Sequence, residues 1–207
     1  MIYWAIRHIS KAVLKLFYNF KIYGGENIPK NGPYIVCANH CSFLDPLVIC
    51  DSIPRRVYWV VLKDLYDIWP LSILLRATSC IPVNGAINEA LKALKQNKVI
   101  GIFPEGRRTY TGQLMRKGKK GPAILVMKAG VPILPGWING TFEAYPRRAK
   151  FIKIHPIQIY FEKPLKFDKY EEDEIIDEKI LMDTTQRILD SIAAARKKLE
   201  GKNIYTS

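Results

Sequence analysis

Within residues 2–20 (IYWAIRHISKAVLKLFYNF), Ile2, Ile6, Ile9, Val13, Leu16, Phe17 and Phe20 recur at helical spacing. Arg7, His8, Lys11, Lys15 and Asn19 fall inside one arc of about 120°, with Trp4 and Tyr18 on or near it. The pattern predicts an amphipathic helix with a basic stripe, the form that lies in a membrane interface. The alternative is a helix docked on its own domain. Gly24-Gly25 and Pro29–Pro33 then break the chain. Unbroken apolar runs at Tyr34–Ala38, Val57–Leu62 and Val99–Phe103 read as buried strands, and Ile81–Val83 as a short one. Pro46–Cys50 starts a short helix, and residues 63–76 read as an apolar helix broken near Pro70. Residues 86–97 place Ile87, Ala90, Leu91 and Leu94 on one helical face. Pro122 opens a helix that Gly130 ends. Strands are expected at Val131–Leu134 and Phe151–Phe161. A final helix is expected over 172–200, with acids in its first turn and Arg196, Lys197 and Lys198 in its last.

Strands alternating with helices imply an α/β fold: a mixed, largely buried β-sheet sandwiched by helices, behind the N-terminal amphipathic helix. A length of 207 residues fits one domain with a short appendage, and no repeat is visible. Ordinary apolar and charged fractions exclude a disordered chain. No uncharged apolar run reaches about 18 residues, so no transmembrane helix is expected. Lys11 and Lys15 interrupt the start and no small-residue cleavage site follows, so no signal peptide is expected.

The net charge of +13 favours an anionic partner: membrane surface, nucleic acid, phosphorylated substrate or acidic carrier. It is unevenly placed, because residues 168–178 hold seven acids against one lysine and no acid precedes Glu26. Cys37, Cys41, Cys50 and Cys80 form no C-x-x-C pair, which argues against zinc or a disulfide framework and for a reducing compartment.

Three segments carry candidate chemistry. Asn39-His40-Cys41-Ser42-Phe43-Leu44-Asp45-Pro46 leaves a buried strand and enters a helix, where sites of α/β folds assemble. His40 and Asp45 are five residues apart across a turn, so the carboxylate can orient the imidazole and support its protonated form. Asp45-Pro46 also reads as a plain helix N-cap. Cys41 and Ser42 lack a nucleophile-elbow setting. Phe103-Pro104-Glu105-Gly106-Arg107-Arg108-Thr109 follows a second strand, and its paired guanidinium groups suit a phosphate. Arg116, Lys117, Lys119 and Lys120 precede the helix at Pro122, and lysines with helix N-terminal amides can hold an anion. Each basic segment alone also reads as a solvated loop.

N-H-x-x-x-x-D at 39–45, F-P-E-G at 103–106 and V-P-I-L-P at 131–135 occur in one order. From about Gly24 to Lys163 the chain resembles the glycerolipid acyltransferase family, especially its lysophosphatidate acyltransferases. The resemblance implies that His40 is the general base for a glycerol hydroxyl and that Asp45 orients it. It implies that Glu105 and Gly106 shape the acceptor site and that Arg108 contacts the acceptor phosphate. Arg107, Thr109, Lys119 and Lys120 join these as candidate substrate-binding residues. The implied donor is acyl-CoA or acyl-carrier protein, attacked directly by the hydroxyl, with no metal or bound cofactor. The implied arrangement is a membrane-binding helix over 1–23 and an acyltransferase domain over 24–207, peripheral at the cytoplasmic face of an anionic membrane.

Two positions depart from the family pattern. Gly85 stands where an Arg is usual, and Arg107 stands where F-P-E-G is usually followed by Thr. Arg107 could take over the missing phosphate contact, or the acceptor could be glycerol-3-phosphate or another lyso-lipid. A non-catalytic membrane-binding module would not need a His–Asp pair beside F-P-E-G. A nucleic-acid binder is not expected, since RRM, KH and zinc-finger signatures are absent.

Overall fold

The computed structural model describes residues 2–61, 80–82 and 86–204. The helix expected over residues 63–76 and the position of Gly85 lie outside the described residues. The helices are α1 (Ile2–Phe17), α2 (Asp45–Ser52), α3 (Ala86–Lys95), α4 (Gly121–Ala129), α5 (Thr141–Ala144) and α6 (Glu178–Ile204). The strands are β1 (Lys21–Tyr23), β2 (Tyr34–Ala38), β3 (Val57–Val61), β4 (Cys80–Pro82), β5 (Val99–Ile102), β6 (Ile133–Asn139) and β7 (Gln158–Phe161). They form one seven-stranded sheet in the order β1-β7-β6-β2-β5-β3-β4. All pairs are parallel except β6 with β7.

Central β2 shows why its sequence is apolar throughout. Ile35 and Cys37 join one core with α3, α4 and α6, while Tyr34, Val36 and Ala38 join a second core with α1 and α2. A strand covered on both faces has no polar side to display. Truncating one of its fully buried neighbours, Ile100 or Ile133, to Ala would cost roughly 2–5 kcal/mol.

The expected mixed, buried sheet between helices is what forms, and several boundaries differ. The strand expected from Val131 starts at Ile133 and runs to Asn139 through Pro135 and Gly136, residues that usually argue against a central strand. Of the strand expected over Phe151–Phe161 only Gln158–Phe161 pairs; Pro156 offers no N–H, and Phe151, Ile152 and Ile154 are exposed. The last helix begins at Glu178 because Asp177 Oδ1 accepts the N–H groups of Lys179 and Ile180. The preceding acids therefore lie outside it, and Lys202 occupies the last turn in place of Arg196–Lys198. Gly130 caps α4 in the left-handed conformation as expected, at φ 62°.

Helix α1 ends three residues short of Phe20. Its docked stripe is Tyr3, Ser10, Leu14 and, just beyond the helix, Tyr18. The Tyr3 hydroxyl accepts the Val57 N–H at 3.1 Å, and Ser10 Oγ donates to Asp51 of α2 at 2.8 Å. Burial raises the Asp51 carboxyl to about 6. Ile2, Ile9, Val13, Leu16 and Phe17 face outward, with Leu16 77% exposed. β1 follows directly and pairs with β7. Among the described residues no helix is long and apolar enough to cross a membrane.

Candidate active site

The parallel order β6-β2-β5 brings three chain-distant strand ends together. Asn39-His40 leaves β2, Phe103–Glu105 leaves β5, and Gly140-Thr141 leaves β6. Asn39 binds the first and third by accepting the Ile138 N–H at 2.7 Å and donating to the Ile138 carbonyl at 3.0 Å. Gly140 makes its turn at φ 86°, where a Cβ would lie 1.9 Å from the Pro156 oxygen, so only glycine fits.

Asp45 is fully buried and accepts four hydrogen bonds. Its Oδ2 takes the Cys41 N–H at 2.7 Å, the Ser42 N–H at 2.8 Å and His40 Nδ1 at 2.8 Å. Its Oδ1 takes the Thr141 hydroxyl at 2.6 Å. The N-cap reading of Asp45 is thereby replaced: it is the first residue of α2, and its carboxylate turns back onto the loop that carries His40. Because a carboxylate accepts, Nδ1 holds the proton and Nε2 keeps the lone pair. The imidazole is 17% exposed. Its face stacks on Phe103 with centroids 3.9 Å apart, and Phe103 stacks on Trp59 at 4.9 Å. Trp59 lies against Gly101, where a Cβ would come within 2.7 Å of its ring. The ring is held by one nitrogen and one face, and Nε2 has no hydrogen-bond partner among the described residues, so it is able to accept a proton.

Glu105 points inward. Its Oε1 accepts the His40 backbone N–H at 2.6 Å and its Oε2 the Met115 N–H at 3.1 Å. Burial raises its carboxyl to about 7 despite those two bonds. Thr109 is also buried, and its N–H donates to the His40 carbonyl at 2.8 Å. Glu105 of the F-P-E-G turn and Thr109, three residues beyond that turn, thus hold the N–H and the carbonyl of His40.

Arg108 is half-buried, its guanidinium 3.4 Å above the Phe43 ring. One buried terminal nitrogen has no partner among the described residues. Burial first, then the charge of Arg147, lowers its pKa, an environment that an anion would relieve. Arg107 is exposed and has no hydrogen bond or ion pair among the described residues. Gly106 sits at φ 68° against the stem of Lys119, whose N–H donates to the Pro104 carbonyl at 2.7 Å. Lys120 is exposed and pairs with Glu178 at the start of α6.

The thiol and hydroxyl beside His40 are not free to react. Burial, then the neighbouring Asp45, pushes the Cys41 thiol up. Ser42 Oγ donates to the Tyr145 carbonyl at 2.7 Å and accepts the Leu44 N–H at 3.1 Å. Among the described residues no group of three His, Cys, Asp or Glu side chains is placed to hold a metal.

The sequence model of the Acyltransferase family matches residues 19–139, which span the strand ends carrying His40, Asp45 and Glu105. The chain belongs to the Acyltransferase family. This acyltransferase is 29% identical over 184 residues to the 1-acyl-sn-glycerol-3-phosphate acyltransferase of Borreliella burgdorferi, covering 82% of this chain and 71% of the relative. It is 25% identical over 138 residues to the enzyme of that name from Bacillus subtilis, covering 63% and 67%. Its fold matches the crystal structure of the 1-acyl-sn-glycerophosphate (LPA) acyltransferase PlsC from Thermotoga maritima. That match has a TM-score of 0.75 at 24% identity and covers 93% of this chain and 78% of the other.

Sequence reasoning missed Thr141 as a donor to Asp45 and Phe103 as the platform under His40. Thr141 carried a usable signal, because Gly140-Thr141 ends a strand adjacent to β2. Phe103 lay in the F-P-E-G segment, and its role needed the tertiary contact.

Proposed function

We propose that this acyltransferase moves a fatty acyl group from a thioester to the sn-2 hydroxyl of 1-acylglycerol-3-phosphate, giving phosphatidate. The carrying observation is His40 with Nδ1 committed to Asp45 and, among the described residues, Nε2 without a partner, in a loop cluster that also holds an Arg108 guanidinium nitrogen with no partner among those residues. Nε2 takes the hydroxyl proton as the oxygen attacks the thioester carbonyl. Asp45 holds the resulting imidazolium in place. The tetrahedral adduct collapses, the C–S bond breaks, and the imidazolium returns the proton to the leaving thiolate. Arg108 would hold the acceptor phosphate, with Arg107, Lys119 and Gly106 at the rim. The donor is acyl-CoA or acyl-carrier protein, and the chemistry needs no resident cofactor or metal.

The names of the relatives support the lysophosphatidate acceptor. The outward apolar stripe of α1, with Lys11 and Lys15 beside it, supports peripheral binding to an anionic membrane. We place that membrane contact at the cytoplasmic face. Purified protein assayed with lysophosphatidate, glycerol-3-phosphate and lysophosphatidylcholine, each with both thioester donors, tests the reading. Phosphatidate formation well above the other two products is expected; preference for either other acceptor would overturn the acceptor assignment.

A further inference from the structure

The loop between α5 and β7 has a composition that neither the fold nor the catalytic site explains. It holds Arg147, Arg148, Lys150 and Lys153, and no acid lies between Glu143 and Glu162. At its tip Phe151 is 80%, Ile152 54% and Ile154 72% exposed. Single exposed apolar residues are ordinary, but three in four consecutive positions, interleaved with cations, form a contiguous patch.

The loop is tied down at both ends and through the backbone of Lys153, while the Phe151, Ile152 and Ile154 side chains stay exposed. On one side Arg147 donates to the Arg108 carbonyl at 3.1 Å, and Arg147 and Arg148 both cover the Tyr110 ring, at 4.5 and 4.9 Å. The Lys153 N–H donates to the Ala144 carbonyl at 2.8 Å. On the other side the Ile157 N–H donates to the Tyr18 carbonyl at the end of α1, also at 2.8 Å. The tip therefore projects between the rim that carries Arg108 and the helix whose apolar stripe faces outward.

Resting on the acyltransferase reading above, we propose that residues 147–154 form a second membrane-insertion element at the mouth of the site. Phe151, Ile152 and Ile154 enter the headgroup boundary, and the four cations meet anionic headgroups. Nucleic acid could use the cations and stack on Phe151, but it would leave Ile152 and Ile154 exposed to water. With α1 as the other contact, the membrane is engaged on two sides of the His40 loop, so a lipid acceptor reaches the base laterally from the bilayer.

The test uses the full chain and vesicles of phosphatidylcholine and phosphatidylglycerol in a three-to-one ratio. Phe151→Ser/Ile152→Ser/Ile154→Ser should lower vesicle partition about tenfold or more. It should reduce turnover of bilayer-embedded lysophosphatidate and leave turnover of a monomeric short-chain acceptor at the wild-type level. A parallel variant, Ile9→Ser/Val13→Ser/Leu16→Ser/Phe17→Ser, reports on α1 alone. If the α1 variant is released while the loop variant partitions like wild type, the loop inference is overturned and the α1 reading stands. Wild-type protein that binds no vesicles overturns both without touching the soluble-acceptor activity. Unchanged partition with altered self-association would assign the patch to a protein contact instead. If the triple variant does not fold, Phe151→Trp decides: its added emission should shift to the blue and be quenched by acyl-brominated lipid, and no change would overturn the proposal.

Discussion

Glu105→Gln isolates the clamp on the His40 backbone. The carboxylate accepts two backbone N–H groups, yet burial prevails and raises its pKa to about 7 from an ordinary 4.5. The unfolded chain loses this proton first as pH rises, and the folded chain retains it until about 7. This group's contribution to stability is therefore intact below about pH 4.5 and is lost as pH rises through about 7. A shift of that size corresponds to at most about 3 kcal/mol. Gln does not titrate, so the stability of wild type relative to Glu105→Gln should fall by up to that amount between pH 4.5 and 8. Urea unfolding of both proteins at several pH values measures the difference. Catalysis should move the other way: above pH 7 the His40 N–H exchanges a carboxylate acceptor for a neutral amide, lowering kcat by up to about tenfold with little change in KM. A stability difference independent of pH would refute the reasoning. A difference of opposite sign would show that the two N–H bonds outweigh burial.

Thr141→Val removes one of the four donors to Asp45; kcat should fall several-fold, and urea unfolding should show a loss of about 1–2 kcal/mol. Arg108→Ala should raise the KM for lysophosphatidate more than about tenfold in steady-state kinetics, the value of one charge-assisted hydrogen bond. Arg107→Thr should raise it less, since Arg107 is exposed while Arg108 is half-buried with a nitrogen that has no partner among the described residues. Gly140→Ala places a Cβ 1.9 Å from a backbone oxygen at positive φ; thermal unfolding should show a loss of several kcal/mol or no folded protein.

Legibility followed how local each signal was. β2, β3 and β5 were readable because burial on both faces leaves uninterrupted apolar runs, and α3 because its apolar face repeats at helical spacing. β6 was cut short at Leu134 because Pro135-Gly136 mimics a break, whereas the neighbouring strands supply enough pairing to carry the chain through. β1 spans only Lys21–Tyr23, with Lys21 and Ile22 exposed, too short to show a period. Within the site, His40 and Asp45 were legible because they share one turn. Thr141 was not, because its contact with Asp45 crosses 96 positions and exists only through the β2–β6 pairing. The direction of Glu105 was also hidden: a carboxylate in a basic loop reads as solvated until both of its backbone partners are placed.

The central claim is that Nε2 of His40 removes the acceptor's hydroxyl proton. The direct measurement is the rate of phosphatidate formation by wild type and His40→Ala, each checked for folding by circular dichroism, with lysophosphatidate and both thioester donors. General-base catalysis is worth about 10²–10⁴-fold, so the folded variant should lose at least about a hundredfold in kcat while its KM changes little. A folded His40→Ala protein that turns over near the wild-type rate would contradict the account.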